Sequence, residues 1–368
     1  MSMDTVSMKY EERLIFTLRE MFRRYGYQQY KMRKFEEYDL YARNKDFLVS
    51  DNIITFTDTN GALMALKPDV TLSIVRSGRD GAGVQKVYYN ENVYRVSSAA
   101  RGFREILQTG IECIGEVDDY CIAETLMLAV MSLRTISPDC VLEISQLDVV
   151  SELVDDLGLD GAARRAVLKC LGEKNLHELD ALCAGADPEA VARLKKLVQT
   201  SGRPAEVLPA LRELSCAPEA VAQLARLTES LEAMDLGGEL RIDFSVEGDM
   251  NYYNGIVFKG FVSGVPTGVL SGGQYDKLMH KMRRSARAIG FAVYLDQLDR
   301  FSGETETVDT DTVLLYDDSA STAALLRAVQ SLSAKGERVT AQRSVPEKLR
   351  YRRLAKLSGD EVIYLENA

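Results

Sequence analysis

The chain has 368 residues, of which 46% are hydrophobic and 27% charged, a balance that fits a soluble globular protein of two or three domains and excludes a disordered tail or a fibre. Its formal net charge of -10 repels a polyphosphate over most of the surface, so tRNA is not expected as a ligand. The six cysteines (Cys113, Cys121, Cys140, Cys170, Cys183, Cys216) form no C-x-x-C pair and the two histidines are His177 and His280, so no metal site, redox motif or cofactor is expected. The start, Met1-Ser2-Met3-Asp4-Thr5, lacks a signal peptide's apolar core, and no apolar span is long enough for a bilayer. A cytoplasmic protein with reduced thiols is expected, with no membrane partner.

Leu14, Ile15, Leu18, Met21, Phe22 and Tyr25 recur at helical spacing and predict an amphipathic helix that stops at Gly26 and feeds a strand around Gln29 to Met32. Runs from Ile53 to Thr57 and Leu63 to Leu66 flank Asp58-Thr59-Asn60-Gly61 and predict a hairpin, since Asn-Gly supplies the positive dihedrals of a tight turn. A short helix is expected after Pro68, then strands near Lys86 to Val96 and Arg104 to Gly115, then a helix from about Tyr120 to Arg134. This mixture reads as α+β, an antiparallel sheet flanked by helices.

From about Ser151 to Leu236 leucine- and alanine-rich helical periodicity takes over, and residues 151–237 are expected as a separate helical insertion. Strand character returns at Leu240 to Val246, Tyr252 to Phe261 and Ala288 to Leu295, so residues 1–150 and 238–301 read as two parts of one core. Residues 302–312 are polar and acidic and are expected as a linker. Residues 313–368 then read as a small βαβαβ unit, with strands at Thr312 to Tyr316, Arg338 to Ala341 and Glu361 to Leu365 and helices at Thr322 to Ala334 and Glu347 to Leu357.

In the run Phe103 to Gly115, read as a strand, Gln108, Gly110 and Glu112 share one face while Leu107, Ile111 and Cys113 face an apolar layer. Gly110 leaves room between an amide and a carboxylate, a floor suited to a small cationic or amphoteric ligand; an ordinary half-solvated strand is the alternative. Tyr253 offers a hydroxyl that can donate or accept, or is a core tyrosine of an aromatic-rich strand. Gly272-Gly273 permits close backbone approach, or marks a turn or bulge. Arg338, Arg343, Lys348, Arg350, Arg352, Arg353 and Lys356, with Glu347 alone among them, could meet phosphate or an acidic partner, or form a solvated helix face.

Several segments resemble histidyl-tRNA synthetase, a class II aminoacyl-tRNA synthetase. Asp249-Met250-Asn251-Tyr252-Tyr253-Asn254-Gly255 is similar to its histidine-gripping strand, Gln108-x-Gly110-x-Glu112 to its histidine-contacting Gln-x-Gly-x-Glu, and Ser271-Gly272-Gly273-Gln274-Tyr275-Asp276 to its Gly-Gly-Arg-Tyr-Asp segment. The resemblance implies contacts to a histidine amino group from Asp69 and Thr71, to the amino group and imidazole from Gln108 and Glu112, and to the imidazole from Tyr253 beside Tyr252. Arg95 falls at the second class II motif's arginine, a remnant of a nucleotide site.

The departures concern catalysis. Gly248 stands where the family keeps a catalytic arginine, and Gln297, in Ala288 to Leu298, stands where the third motif has an ATP-holding arginine. Arg95-Val96-Ser97 lacks the usual Arg-x-Glu, the loop Ser98-Ala99-Ala100 is short, and Arg33 replaces the first motif's proline after Tyr25-Gly26-Tyr27. Arginines at developing phosphoryl charge are each worth on the order of 3 to 6 kcal/mol, so two losses are crippling.

A retained histidine pocket with lost ATP-handling residues resembles the catalytically silent paralogue that serves as ATP phosphoribosyltransferase regulatory subunit. That resemblance implies no catalytic residues, a homodimer through the class II core, a short-form catalytic phosphoribosyltransferase subunit as partner, histidine as ligand, and a last unit that is a truncated anticodon-binding domain. The alternatives are an active histidyl-tRNA synthetase, a synthetase-like enzyme acting on another acceptor, and a tRNA-binding module.

Overall fold

The computed structural model describes residues 9–45, 48, 53–78, 81, 83–97, 102–245, 252–298 and 308–367. The chain divides into two compact units, residues 1–301 and 302–368. Gly248, Asp249 to Asn251, the Ser98 to Ala100 loop and most of the expected linker lie outside the described residues.

The first unit is built on a nine-stranded sheet in the order Gln28–Gln29, Val84–Ser97, Gly102–Gly115, Arg287–Tyr294, Leu270–Gln274, Asn254–Val262, Cys140–Gln146, Leu240–Asp243 and Ser201–Gly202. Pairing is antiparallel throughout except between the first two strands and between Cys140–Gln146 and Leu240–Asp243. The α+β expectation holds, although the expected Gln29 to Met32 strand is only the pair Gln28–Gln29.

One face of this sheet is closed by two helices. Tyr10–Arg24 buries Leu14, Leu18 and Phe22, spaced by four residues, and ends before Gly26, whose φ of 85° glycine adopts freely. Phe22 is fully buried, with its ring 6.4 Å from that of Tyr88 and 6.0 Å from that of Phe291. Asp119–Ile136 is capped by Asp118, whose carboxylate accepts from the Cys121 N–H at 2.9 Å. Ile111 and Cys113 point into this layer.

The opposite face carries a second apolar cluster that includes Tyr89, Ile114, Tyr275, Leu278 and Ala288. Part of its cover is a three-stranded sheet ordered Phe35–Glu37, Leu63–Leu66, Thr55–Thr57. The last two strands are the expected hairpin, turning at Gly61 with φ 85°.

Residues 151–237 do form helices, from Leu147–Asp155 through to Pro218–Glu232. They do not stand apart, however. Leu153, Leu194, Leu211 and Leu224 belong to the same apolar cluster as Leu128 and Ile144, and Ser201–Gly202 from within the block pairs with the main sheet. The amphipathic periodicity was legible in the sequence, but the partner of the apolar stripe was not.

The second unit is a four-stranded sheet ordered Val339–Gln342, Thr310–Leu315, Tyr351–Ser358, Glu361–Asn367, with the helix Thr322–Ser333 packed on it through Ala324 and Ala328. Its first strand begins at Thr310, inside the residues expected as linker. The basic helix expected over Glu347 to Leu357 is a correction: Tyr351–Ser358 is a strand, antiparallel to Glu361–Asn367 across Gly359 at φ 61°, and the unit is not βαβαβ. Ala355 and Leu357 are buried while Arg352 and Lys356 are exposed, a period of two that the density of basic residues concealed.

The basic run is also not a free patch. Arg338 and Arg352 pair with Asp311, Arg343 with Asp318, Arg350 with Asp309, Arg353 with Glu337 and Lys356 with Asp317. These acids lie up to dozens of residues upstream, beyond the reach of a local charge count.

Phe22→Ala should destabilise the first unit by about 3 to 5 kcal/mol, the range for emptying a closed aromatic site. Urea denaturation followed by circular dichroism measures it, and a loss under about 1 kcal/mol would mean that the sheet face is not closed as described.

Candidate functional site

A cavity of about 530 Å³ opens on the sheet face opposite the two long helices, and Asp69, Thr71, Arg95, Gln108, Glu112, Tyr252 and Tyr253 all line it. Sequence reasoning thus brought together residues that come from four segments of the chain. The Gln108 to Ile114 stretch is buried on both faces, which disposes of the half-solvated strand. The second layer comes from the distant segments around Thr71 and Tyr275.

The loop carrying Asp69 and Thr71 is fixed at its root. The Lys67 ammonium is fully buried and bound to Glu91, whose other oxygen accepts from the Met32 N–H at 3.1 Å. Beyond Pro68, Asp69 accepts from the Leu72 N–H at 2.8 Å and so caps the start of the helix Thr71–Ser77. The Arg95 Nε donates to the Pro68 carbonyl at 2.9 Å, and its guanidinium reaches to 4.0 Å from Asp69.

Glu112 is the centre of the cavity floor and is 2% exposed. Thr71 Oγ1 donates to its Oε1 at 2.8 Å and the Tyr275 hydroxyl to its Oε2 at 2.6 Å. Gly290 lies directly across the neighbouring strand, where a Cβ would sit 1.9 Å from Oε2, so only glycine leaves room for the carboxyl. At Gly110 a Cβ would come within 2.6 Å of the Tyr89 hydroxyl. The rings of Tyr252 and Tyr253 are 4.5 Å apart edge to face, and Tyr252 lies 5.9 Å from Tyr275.

Burial dominates the electrostatics. It pushes the Glu112 carboxyl up to about 8, against the two hydroxyl donors that pull it down and with the Asp69 charge raising it further. Burial raises Asp69 as well, opposed by Arg95 and by the backbone N–H groups of Leu72 and Thr71. Tyr89, Tyr252, Tyr253 and Tyr275 are all raised, chiefly by burial, and remain neutral hydroxyls. Well below pH 8 the Glu112 carboxyl is therefore largely protonated, and a cation placed beside it would favour its ionised form.

Sequence reasoning missed Tyr275, Tyr89, Tyr294, Ser271, Lys259 and Gly290, which also line the cavity. Tyr275 stood within the quoted Ser271 to Asp276 segment, and its conjunction with Glu112 across 163 residues was the missing piece. Gln297 does not line the cavity: its amide donates to Asp296 at 3.2 Å and accepts from the Thr267 hydroxyl at 3.0 Å.

An antiparallel sheet whose polar face carries this cavity, backed by two long helices, defines a class II aminoacyl-tRNA synthetase-like core. The family model described as histidyl-tRNA synthetase matches residues 3–298. The chain belongs to the histidyl-tRNA synthetase family.

Within the family it is similar to proteins that carry another name. It is 28% identical over 335 residues to an ATP phosphoribosyltransferase regulatory subunit of Clostridium kluyveri, covering 87% of this chain and 85% of that one. To the regulatory subunit of a Thermoanaerobacter strain it is 29% identical over 299 residues, 78% of each chain. Its fold is shared with an ATP phosphoribosyltransferase regulatory subunit/histidyl-tRNA synthetase from Bacillus halodurans, at a TM-score of 0.80 and 23% identity over 94% of this chain and 93% of that one. A chain of the ATP phosphoribosyl transferase (HisG:HisZ) complex from Thermotoga maritima matches at a TM-score of 0.63 and 19% identity over 78% of this chain and 97% of that one.

Glu112 sets a pH dependence. A carboxyl with a folded pKa of about 8 against an ordinary 4.5 binds a proton in the folded state that the unfolded chain has released, so stability falls as pH rises between those values. The slope is at most about 1.4 kcal/mol per pH unit. Glu112→Gln removes this dependence, so urea unfolding should show the variant gaining on the wild type from pH 5 to pH 8. A constant difference would mean that Glu112 titrates as an exposed acid does.

Proposed function

We propose that this chain is the non-catalytic regulatory subunit of an ATP phosphoribosyltransferase, that it assembles with a separate short catalytic subunit for the first step of histidine biosynthesis, and that it confers inhibition by histidine. What supports the reading is a cavity lined by Asp69, Thr71, Gln108, Glu112 and Tyr253, in a chain whose sequence has Gly248 and Gln297 at the positions of the family's arginines and whose similarity to a regulatory subunit spans 87% of its length. The partner is the subunit class with which a chain of this fold forms the Thermotoga maritima complex.

Histidine fits the chemistry of the cavity. Asp69 and the Thr71 hydroxyl accept from its ammonium group, and Glu112 with Tyr253 offers the imidazole groups that both donate and accept. Inhibition requires histidine to bind two assembled arrangements with different affinity, and the hydroxyl-bridged carboxyl, which can change both charge and partners, is a place where such a difference arises. We place the chain in the cytoplasm as a homodimer joined through the class II core. All six cysteines are buried free thiols, and no described helix is long and apolar enough to cross a membrane. The paired basic run in the second unit favours a protein without tRNA affinity over a tRNA-binding module.

Calorimetry with histidine should show one site per chain, weakened at least tenfold by Glu112→Gln and several-fold by Tyr253→Phe. The pure chain should give no histidine-dependent pyrophosphate exchange with ATP, whereas mixing it with a short catalytic phosphoribosyltransferase should yield a histidine-inhibited enzyme. Measurable exchange by the pure chain would defeat the reading. Inhibition undiminished in both variants would move the inhibitory site to the subunit interface.

A further inference from the structure

The cavity holds more than an amino acid's acceptors. Along the Gly102–Gly115 strand, Glu112 faces Gly290 and Gln108 faces Tyr294, so Gln108 and Tyr294 mark an end of the cavity floor roughly 13 Å along the strand from Glu112. At that end the Tyr294 and Ser271 hydroxyls are 2.6 Å apart, and Ser271 lies opposite Lys259 on the next strand. All four side chains line the same cavity.

Three features of this end call for a negatively charged occupant. Gln108 is 3% exposed, and its Nε2 is buried without a hydrogen-bond partner among the described residues, an amide donor left unsatisfied in a lined cavity. In the Ser271–Tyr294 pair one hydroxyl proton is spent between the two oxygens, which leaves the other to donate outward. Lys259 makes no ion pair among the described residues. Its stem lies along Gly268, where a Cβ would meet Lys259 Cε at 2.6 Å, and its ammonium stands 5.7 Å from the centre of the Phe261 ring. Arg95, the other cation of the lining, is engaged at the Pro68 carbonyl and turned to Asp69. Glu143 lies opposite Lys259 on the Cys140–Gln146 strand and feels its charge, but it is not among the residues that line the cavity. Within the described lining this end presents an amide N–H, a hydroxyl and an ammonium, a set of donors that complements an oxyanion.

We propose that Gln108, Ser271, Tyr294 and Lys259 form an oxyanion-binding subsite, filled by a carboxylate or a phosphate group, at the end of the cavity remote from Glu112. In the carboxylate case the subsite rests on and deepens the histidine reading: Lys259 supplies the cation for the amino acid's carboxylate. In the phosphate case it stands independently of that reading.

The test is calorimetry on the full-length chain with histidine, with histamine, which lacks the carboxylate, and with inorganic phosphate. It compares the wild type with Lys259→Met, which keeps the stem, and with Tyr294→Phe, each checked for folding by circular dichroism. For a carboxylate subsite, Lys259→Met weakens histidine at least tenfold and histamine less than twofold, and Tyr294→Phe shows a smaller loss with the same selectivity. For a phosphate subsite, the wild type binds phosphate, Lys259→Met loses it, and histidine affinity is unchanged.

Histidine and phosphate binding both indifferent to Lys259 would overturn the subsite while leaving the histidine reading intact, and equal weakening of histidine and histamine would overturn it as general damage. Phosphate binding that depends on Lys259, in a chain that binds neither histidine nor histamine, would uphold the subsite and sink the histidine reading. A wild type that binds none of the three would end both.

Discussion

A carboxyl group buried in the middle of a sheet has to be answered by donors, and the answers to Glu112 organise the cavity. Its two oxygens take hydroxyl protons from Thr71 and Tyr275, side chains that are 41 and 163 residues away in the chain, and the space for it exists because Gly290 has no side chain. Removing a donor would leave a buried polar group unpaired, at about 1 to 3 kcal/mol, so the loop after Pro68 and the strand ending at Gln274 are held in register by the same group. The buried Lys67–Glu91 pair fixes that loop from behind and leaves Asp69 free to face the cavity. Binding floor and fold stability are therefore not separable here.

That coupling explains which parts were legible in the sequence. The face of Gln108, Gly110 and Glu112 followed from a period of two, the first helix from Leu14, Leu18 and Phe22, and the hairpin from Asn60-Gly61, because each is local. Tyr275 and Gly290 were not legible as partners of Glu112, because their role arises only when three strands lie side by side. The strand Tyr351–Ser358 was misread for a related reason. Its Arg352, Arg353 and Lys356 looked like a solvated helix face, yet their counter-charges are Asp311, Glu337 and Asp317, and only the folded unit brings them together.

The two ends of the cavity differ in charge logic. The Glu112 end is rich in carboxyls whose ionisation burial resists, and it is suited to a ligand that arrives with positive charge. The Gln108 end carries an unsatisfied amide and an ammonium without an ion pair among the described residues, suited to negative charge. An amphoteric ligand reads both, which a purely cationic or anionic one does not. Adenylate chemistry asks for something else, guanidinium groups aimed at a reacting phosphorus, and Gln297 instead satisfies Asp296 and Thr267 away from the cavity.

Polar cavities are costly to keep empty, since desolvated groups wait without partners. In an enzyme that cost is offset by catalysis. In the non-catalytic role proposed above the same groups act through occupancy alone, which makes ligand-linked stability their natural output. A ligand at concentrations a hundredfold above its Kd stabilises the state it binds by about 2.7 kcal/mol, enough to shift an equilibrium between two assemblies roughly a hundredfold if only one of them binds it. On the function proposed above, a synthetase-like pocket without adenylate chemistry serves as a sensor: the hydrogen-bonding groups around Glu112 supply the recognition, and a carboxyl that burial holds near neutrality responds to the charge of what binds beside it.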